Sequence, residues 1–457
     1  MKVLSDKNPL DVFARASDIL NRAVEHTLGP EGTNSAVHYQ NYYNIINDGK
    51  SIIEQLTSLD PEIAPAMETL KQSSFETNRK AGDGTTSTII IMNQLIQKVR
   101  NYLEKNSDTS RVYIANKILE ADKKLQELIQ SQKTIIDDRL YEQVAKVSLG
   151  SSEYSRMIAD AFIFLEGKGV PALVKSDIPG VEVKYIDGVN LTKTSVASSM
   201  FIDLLPNKEL SNVQIITIFQ PIDRFEEIFQ LVRKLNQEDK YTIMLYNEIS
   251  NAALDSLLFN LSQGRSKVIP ISIKNYGKDM TNMFDELSKY CSTDIIDGGT
   301  LKSTDISKIK IGYVDKAVIA LNSLVLSSEN PPAEEYKYIS TKACIIRAGG
   351  ATKIDMEDTY RRIEDAIYSL SGAIENGVMF GGYGKPYLDL AKYLAEEIDT
   401  PDYITEALCY INVYLFNRQC SDEALDSALV ISQVVKNAFI TAAQAITTYA
   451  IVYDNIR

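Results

Sequence analysis

The residues best suited to chemistry in this sequence form one short run of acid, glycine and hydroxyl side chains. Asp83 and Gly84 are followed directly by Thr85, Thr86 and Ser87, where an apolar helical pattern begins. Free backbone N–H groups at a helix start suit a phosphate, and a neighbouring carboxylate suits Mg²⁺. Taken alone, the run is better explained as a helix end, a turn and the next helix cap. No G-x-x-x-x-G-K-S/T motif occurs, so the sequence does not indicate a P-loop.

Composition narrows the chemistry that these residues can perform. The 457 residues include two histidines, His26 and His38, which nearly excludes His-activated nucleophiles and His-rich metal sites. The four cysteines lack C-x-x-C spacing, which argues against zinc and disulfides and suits a reducing cytosol. A net charge of −13 argues against nucleic-acid binding. Because we find neither a long apolar run nor a signal peptide, we expect a cytoplasmic protein without membrane contact.

Hydrophobic periodicity predicts helical ends around a central α/β segment. Apolar residues recur at helix spacing from Val12 to Thr27, and a strand-turn-strand candidate follows over Ser35–Ile46 with Asn47–Gly49 as turn residues. Between residues 188 and 345, β-branched runs alternate with helical stretches such as Phe225–Leu235, and helical patterns return afterwards. We therefore expect the central domain to be an insertion into the domain that both termini build.

Four segments, taken in chain order, resemble a known nucleotide site. They are Thr27–Gly32, Asn47–Gly49, Ala81–Ser87, and the stretch from Gly349 to Gly382 that includes Ile363-Glu-Asp-Ala366. In this order and at these separations they resemble group I chaperonins of the GroEL type, over nearly the whole chain. Such a shortened, divergent member also suits a bacteriophage origin.

The resemblance implies a multidomain α/β chaperonin fold with three domains. A mostly α-helical equatorial ATP-binding domain is expected at residues 1–130 and 377–457. A small intermediate hinge domain is expected at residues 131–187 and 346–376, and an inserted α/β apical domain that binds polypeptides at residues 188–345.

The resemblance also implies a set of nucleotide-site residues. Asp48 and Asp365 would be catalytic by orienting and deprotonating water, and Asp83 would bind Mg²⁺. The nucleotide-binding residues would be Thr27, Leu28, Gly29, Pro30, Asn47, Asp83, Gly84, Thr85, Thr86, Ser87, Gly382 and Asp426. The implied cofactors are ATP and Mg²⁺, with K⁺ as a third. Asn47 stands where the family has Lys and cannot supply an ammonium charge, which counts against K⁺.

A polypeptide-binding surface is expected on the central domain. The Phe225–Leu235 helix carries two apolar lines where one would suffice for packing, so the second is either deeply buried or exposed. The resemblance favours exposure and assigns polypeptide binding to Val196, Met200, Phe201, Phe229, Val232, Leu254, Leu258 and Phe259.

The function that the resemblance implies is an ATP-dependent chaperonin that binds non-native polypeptides and promotes their folding. Its partners would be those polypeptides and copies of itself in a ring, seven-fold by resemblance, with a co-chaperonin lid left open. An alternative is a chaperonin-like binding or scaffold protein with impaired ATP cycling, which Asn47 favours and the acidic residues Asp48, Asp83 and Asp365 oppose. A small nucleotide-binding enzyme is a weaker third reading, because no second site with converging polar groups is evident.

Overall fold

The chain forms two compact units in a computed structural model. The structure describes residues 2–4, 8–29, 32–39, 42–58, 60–150, 152–166, 169–191, 194–196, 199–205, 208–273, 277–296, 306–320, 323–329, 336–381, 384–397, 400–416 and 425–453. The first unit comprises Met1–Ala159, Asp177–Pro179 and Gly349–Arg457, and the second comprises Asp160–Ser176 and Gly180–Ala348. The second unit is therefore inserted into the chain of the first, as the sequence pattern predicts.

The first unit is mostly helical. Its helices are α1 (Pro9–Val24), α2 (Gly49–Gln55), α3 (Ala64–Ala81), α4 (Thr85–Lys105), α5 (Arg111–Gln132), α6 (Tyr141–Leu149), α12 (Lys353–Asn376), α13 (Lys385–Glu397), α14 (Asp402–Phe416) and α15 (Ala428–Thr447). Within the described residues, its strands form three two-stranded antiparallel sheets: β1 (Lys2–Leu4) with β16 (Ile451–Tyr453), β2 (Ser35–Tyr39) with β3 (Tyr42–Ile46), and β14 (Val378–Phe380) with β15 (Leu425–Ser427).

Two apolar helices, α4 and α15, form the centre of this unit's core. The run Ile89–Met92 is wholly buried, which requires neighbours on every side of α4, and α1, α3, α14 and α15 supply them. By length and composition α15 could also cross a membrane, but two thirds of it are buried in the core. Burial against α3, α4 and α5 accounts for its apolar character.

The second unit is an α/β domain built on one large sheet. Its strands are β4 (Ala172–Ser176), β5 (Gly180–Leu191), β6 (Thr194–Val196), β7 (Glu209–Ile218), β8 (Thr242–Tyr246), β9 (Val268–Ile273), β10 (Ile295–Ile296), β11 (Gly312–Ile319), β12 (Leu324–Ser327) and β13 (Ser340–Gly349). Its helices are α8 (Ser199–Asp203), α9 (Phe225–Leu235), α10 (Asn251–Ser262) and α11 (Gly277–Cys291), while α7 (Ser152–Phe164) begins in the first unit and ends in the second.

The strand order of this sheet is β4-β13-β5-β12-β11-β7-β8-β9-β6, and β10 pairs with β7. Strands β7, β8 and β9 run parallel and are almost continuously buried, as expected for strands that are covered on both faces. The helices between them return the chain for each parallel pairing. The sheet thus gives α9 and α10 a rigid support.

The predicted elements agree with the structure, with one difference at the strand-turn-strand candidate. The residues Asn47–Gly49 do not form a hairpin turn. Asp48 instead caps α2, where its carboxylate accepts hydrogen bonds from the backbone N–H groups of Lys50 (3.1 Å) and Ser51 (3.0 Å). A capping carboxylate satisfies the free donors at a helix start, and this interaction starts a helix where a turn was predicted.

Candidate functional site

The turn between α3 and α4 presents backbone N–H groups to a pocket in the first unit. Gly82 ends α3 and Gly84 precedes α4, with φ values of 73° and 89° in the left-handed region. A Cβ atom on Gly84 would lie 2.6 Å from Val434 Cγ2, so a larger residue would both displace Val434 and strain the backbone. Because no side chain in the described part of the protein caps the start of α4, its first-turn N–H groups can receive an anion.

One pocket brings together most of the predicted nucleotide-site residues. Its lining includes Thr27, Leu28, Gly29, Asn47, Asp48, Asp83, Gly84, Thr85, Thr86, Ser87, Asp365 and Asp426. These residues come from five separate stretches of the chain. Pro30 and Gly382 lie outside the described residues.

Asp83 lies in the pocket beside the α4 start. One carboxylate oxygen accepts from the Gly84 backbone N–H, and the other accepts from Ser369 Oγ at 2.9 Å. Burial raises the pKa of Asp83, and the charge of Asp48 raises it further. A divalent cation would relieve this repulsion, so the site's donor chemistry fits Mg²⁺.

Asp365 lies on the polar face of α12, opposite the buried residues Ile363 and Ile367. Its pKa is raised well above the usual range, first by burial and then by the charges of Asp83 and Asp48. A carboxylate with a raised pKa accepts protons more strongly than a solvated one. Asp365 is therefore suited to remove a proton from water.

Asp48 is held in a different way from Asp365. Beyond its capping hydrogen bonds, Asp48 Oδ2 accepts from Ser51 Oγ at 2.6 Å and forms an ion pair with Arg361 Nη1 at 2.9 Å. Both of its oxygens are thus engaged by neighbouring groups, so Asp48 is held in a fixed position at the pocket.

Asp426 reaches the pocket from β15, in register with Met379 of β14. Its Oδ2 atom is buried and has no hydrogen-bond partner within the described part of the chain. Burial raises its pKa to about 7, the charge of Asp83 adds to the rise, and a hydrogen bond from the Gly384 backbone opposes it. An unpaired buried acceptor is costly, and a hydroxyl donor of a bound molecule would satisfy it.

The raised pKa of Asp426 predicts a pH-dependent stability. The folded protein holds this proton more tightly than the unfolded chain, so lowering the pH through about 7 should stabilise the fold. Between about pH 8 and pH 6, the free energy of unfolding should rise by about 1 kcal/mol more in the wild type than in Asp426→Asn. Urea unfolding without nucleotide at both pH values measures this difference. Equal pH dependence in the two proteins would contradict the prediction.

Three further residues belong to this site and were missed in the sequence. Arg361 and the buried phenol Tyr387 line the pocket, and Ser369 holds Asp83. Arg361 and Ser369 lie four residues before and after Asp365 on one helix, and this spacing could have indicated in the sequence that they share its face. Asn47 donates its side-chain amide to the Gly32 carbonyl at 3.0 Å and lines the pocket as a neutral group.

The predicted polypeptide-binding residues divide between surface and core in the second unit. Met200, Phe229 and Phe259 are 55%, 47% and 56% exposed, respectively, and Leu254 and Leu258 are partly exposed. The backbone of Val196 lies in β6, and its side chain is outside the described set.

Phe201 and Val232 correct that prediction. They are 1% and 5% exposed because they pack into the core under α8 and α9, so neither can contact a partner. On α9 the second apolar line is therefore divided: Phe229 faces outward and Val232 faces inward.

An apolar groove lies between α8 and α10. Its lining consists of Met200, Asp203, Leu204, Asp255, Leu258, Phe259 and Ser262. Four large apolar side chains line this one groove, and exposed apolar side chains that lie together, unlike single ones, mark an interaction surface. Its apolar side chains, Met200, Leu204, Leu258 and Phe259, are flexible or aromatic, which suits partners that differ in sequence.

Comparisons with known proteins give one consistent result. Residues 20–269 match the family model described as TCP-1/cpn60 chaperonin family. The chain is 24% identical over 430 residues to "Chaperonin GroEL" of Acholeplasma laidlawii, covering 86% of this chain and 78% of that protein. It is also 24% identical over 396 residues to "Chaperonin GroEL" of Mycoplasmoides gallisepticum, covering 79% and 73% of the two chains.

Among solved structures, the chain is similar to the chaperonin gp146 from bacteriophage EL 2 (Pseudomonas aeruginosa), crystallised in the presence of ATP-BeFx. The TM-score is 0.70 at 15% identity, and the match covers 100% of both chains. A second crystal form of that protein gives a TM-score of 0.64 at 16% identity. At this identity the likeness shows a shared fold.

Proposed function

Because the chain belongs to the TCP-1/cpn60 chaperonin family, we propose that it is an ATPase that binds non-native polypeptides and promotes their folding through ATP-driven changes of a ring. The observation that carries this proposal is the pocket of the first unit, where hydroxyls, free backbone N–H groups and acidic side chains from five stretches of chain converge. The exposed groove of the second unit supports the polypeptide-binding part.

Each side of the pocket suits one part of a nucleotide. The N–H groups and hydroxyls from Gly84 to Ser87 would hold phosphate oxygens, and Asp426 would accept from ribose hydroxyls. Thr27, Leu28 and Gly29 would lie along the adenine and phosphate side. Asp83 would hold Mg²⁺, which supplies positive charge against the phosphates when bound.

Asp365 is the proposed general base. As the water oxygen bonds to the terminal phosphorus, Asp365 takes the water proton and the bond from phosphorus to the bridging oxygen breaks. The electron pair of that bond stays on the bridging oxygen of the departing ADP, and inorganic phosphate is the other product. Asp48 orients the site through its cap and ion pair. The assignment rests on the different environments of the two carboxylates.

Clients are proposed to bind to the apolar groove side chains Met200, Leu204, Leu258 and Phe259, and to the exposed Phe229 of α9. Non-native chains share exposed apolar side chains, and burying these against such a surface is favourable for any sequence. This property would let one surface serve many clients.

Phe259→Ser should lower capture of a denatured model protein several-fold, while the free energy of unfolding changes by less than about 1 kcal/mol because the ring is exposed. Val232→Ser is the control at a buried apolar position of α9, and should destabilise the second unit by about 2 kcal/mol or more. Light-scattering suppression assays and urea unfolding measure the two effects. If Phe259→Ser unfolds the protein while capture per folded molecule stays unchanged, the surface assignment is wrong.

Assembly into a homo-oligomeric ring, seven-fold by the earlier resemblance, belongs to the same proposal. The β1–β16 pair and the β2–β3 pair are two-stranded, so both leave strand edges that could pair with a neighbouring copy. Division into equatorial, intermediate and apical domains with the boundaries given above, and a cytoplasmic location, also belong to the proposal.

A scaffold protein that binds polypeptides without productive ATP cycling is the second candidate, favoured by the neutral Asn47 in the pocket. Steady-state phosphate release by the purified protein, compared with Asp365→Ala, separates the two. Hydrolysis that disappears in the variant supports the ATPase. Equal background rates in both proteins would favour the scaffold.

A further inference from the structure

Helix α12 turns one polar face toward the pocket. Arg361, Asp365 and Ser369 follow each other at four-residue spacing, so they lie along one side of the helix. Arg361 is paired with Asp48, and Ser369 is bonded to Asp83. The helix therefore places the Arg361 cation and the Asp365 carboxylate in the pocket, and its Ser369 hydroxyl holds Asp83 there.

The charges that line the pocket are unbalanced. Its lining holds five carboxylates, from Asp48, Asp83, Asp358, Asp365 and Asp426. The lining cations in the described part of the chain are two arginines, and Arg362 is already paired with Asp358 at 3.0 Å. Among the described lining residues, Arg361, which is paired with Asp48, is thus the cation that can also face Asp83, Asp365 and Asp426. A nucleoside triphosphate would add more negative charge.

Arg361 has donors to spare. A guanidinium has five N–H donors, and in the described structure Asp48 Oδ2 takes a bond from one nitrogen, Nη1. The Arg361 side chain is 35% exposed, whereas that of Asp48 is 14% exposed. Asp48 does not depend on this ion pair for its position, because the start of α2 already holds both of its oxygens.

We propose that Arg361 is the phosphate-facing cation of this site and takes the role that the neutral Asn47 cannot fill. This proposal rests on the proposed ATPase function. The planar guanidinium can hold two phosphate oxygens at once, and it stabilises the charge that spreads over the transferred phosphoryl group. Arg361 neither gains nor loses a proton in this role.

The test compares the purified, assembled protein with Arg361→Ala and Arg361→Lys. Arg361→Ala should lower kcat by about 10²-fold or more, and should weaken binding of ATP more than binding of ADP because the terminal phosphate is the lost contact. The kcat of Arg361→Lys should lie between those of the wild type and Arg361→Ala, since lysine keeps the charge but not the two-point contact with phosphate. Arg22→Ala, which breaks an exposed Arg–Asp pair on α1, is the matched control and should match the wild type.

Adding Asn47→Lys to Arg361→Ala provides a rescue. The ammonium of a lysine at position 47 should raise kcat about tenfold above that of Arg361→Ala and should restore part of the preference for ATP over ADP. A role of Arg361 confined to holding Asp48 predicts no rescue and equal losses for ATP and ADP. Either of those results, or wild-type turnover in Arg361→Ala, overturns the proposal.

The binding measurements separate this proposal from the proposed function. If the wild type binds ATP but does not hydrolyse it, the ATPase proposal fails, and the affinities for ATP and ADP still decide the role of Arg361. If Arg361→Ala does not assemble by size exclusion, Arg361→Lys and its rescue by Asn47→Lys give the same comparison in a folded protein.

Discussion

Asp365→Asn should hydrolyse ATP about 10²-fold or more slowly than the wild type while still binding Mg·ATP. The amide keeps the size of the carboxylate but cannot accept the proton of the attacking water. A 10²-fold loss corresponds to about 2.7 kcal/mol of transition-state stabilisation. Asp365 is partly buried beside other acids that raise its pKa, so removing its charge should not weaken binding of an anionic nucleotide.

The same burial makes a second outcome of Asp365→Asn measurable. A carboxylate whose pKa is raised in the fold opposes folding when ionised, so the amide should leave thermal stability unchanged or improve it. Glu364→Gln, one position away and outside the pocket lining, is the matched control and should keep wild-type turnover. Single-turnover phosphate release measures the rate of the hydrolysis step, and equilibrium binding of ATP measures the affinity separately. Wild-type turnover in Asp365→Asn would remove Asp365 from the mechanism.

Asp83→Asn should lose the dependence of ATP binding on Mg²⁺. Changing even a supporting partner of a metal ligand usually costs 10–100-fold in affinity, so replacing the ligand itself should cost about 10²-fold or more. Asp83 already has its oxygens placed by Gly84 and Ser369, and these contacts fix it toward the pocket. Titration of a fluorescent ATP analogue with Mg²⁺ and with EDTA measures the effect.

Asp122→Asn is a suitable control for that experiment. Asp122 is a buried carboxylate on α5 whose pKa is also raised by burial, and it bonds to Gln126 away from the pocket. Its amide variant should retain the full Mg²⁺ response. If Asp83→Asn responds to Mg²⁺ as the wild type does, another group holds the metal and the assignment of Asp83 fails.

Local patterns in the sequence were sufficient for the elements and for the phosphate-binding turn. The helix over Phe225–Leu235 was predicted at its observed bounds, and α4 begins at the predicted Thr85. These features depend on residues a few positions apart, whose spacing and turn chemistry can be read directly. The residues Asn47–Gly49 are compatible with either a turn or a helix cap. The helix forms because the apolar residues Ile52 and Ile53, which follow the cap, pack in the core.

Tertiary structure alone decided which apolar residues are exposed on the second unit. Phe229 and Val232 are three positions apart on α9, and the sequence gives them the same character. The core beneath α9 buries Val232 and leaves Phe229 outside. Phe201, beside the exposed Met200, is buried for the same reason.

The charges of the nucleotide pocket likewise depend on distant contacts. Arg361 meets Asp48 across 313 positions of chain, and Ser369 meets Asp83 across 286. The order of the acidic residues along the chain can be read directly, so the sequence by itself determined that this is an acidic, phosphate-binding type of site. Whether a carboxylate there caps a helix, pairs with a cation or accepts a proton depends on its burial and on the charges beside it, and only the folded chain brings those together.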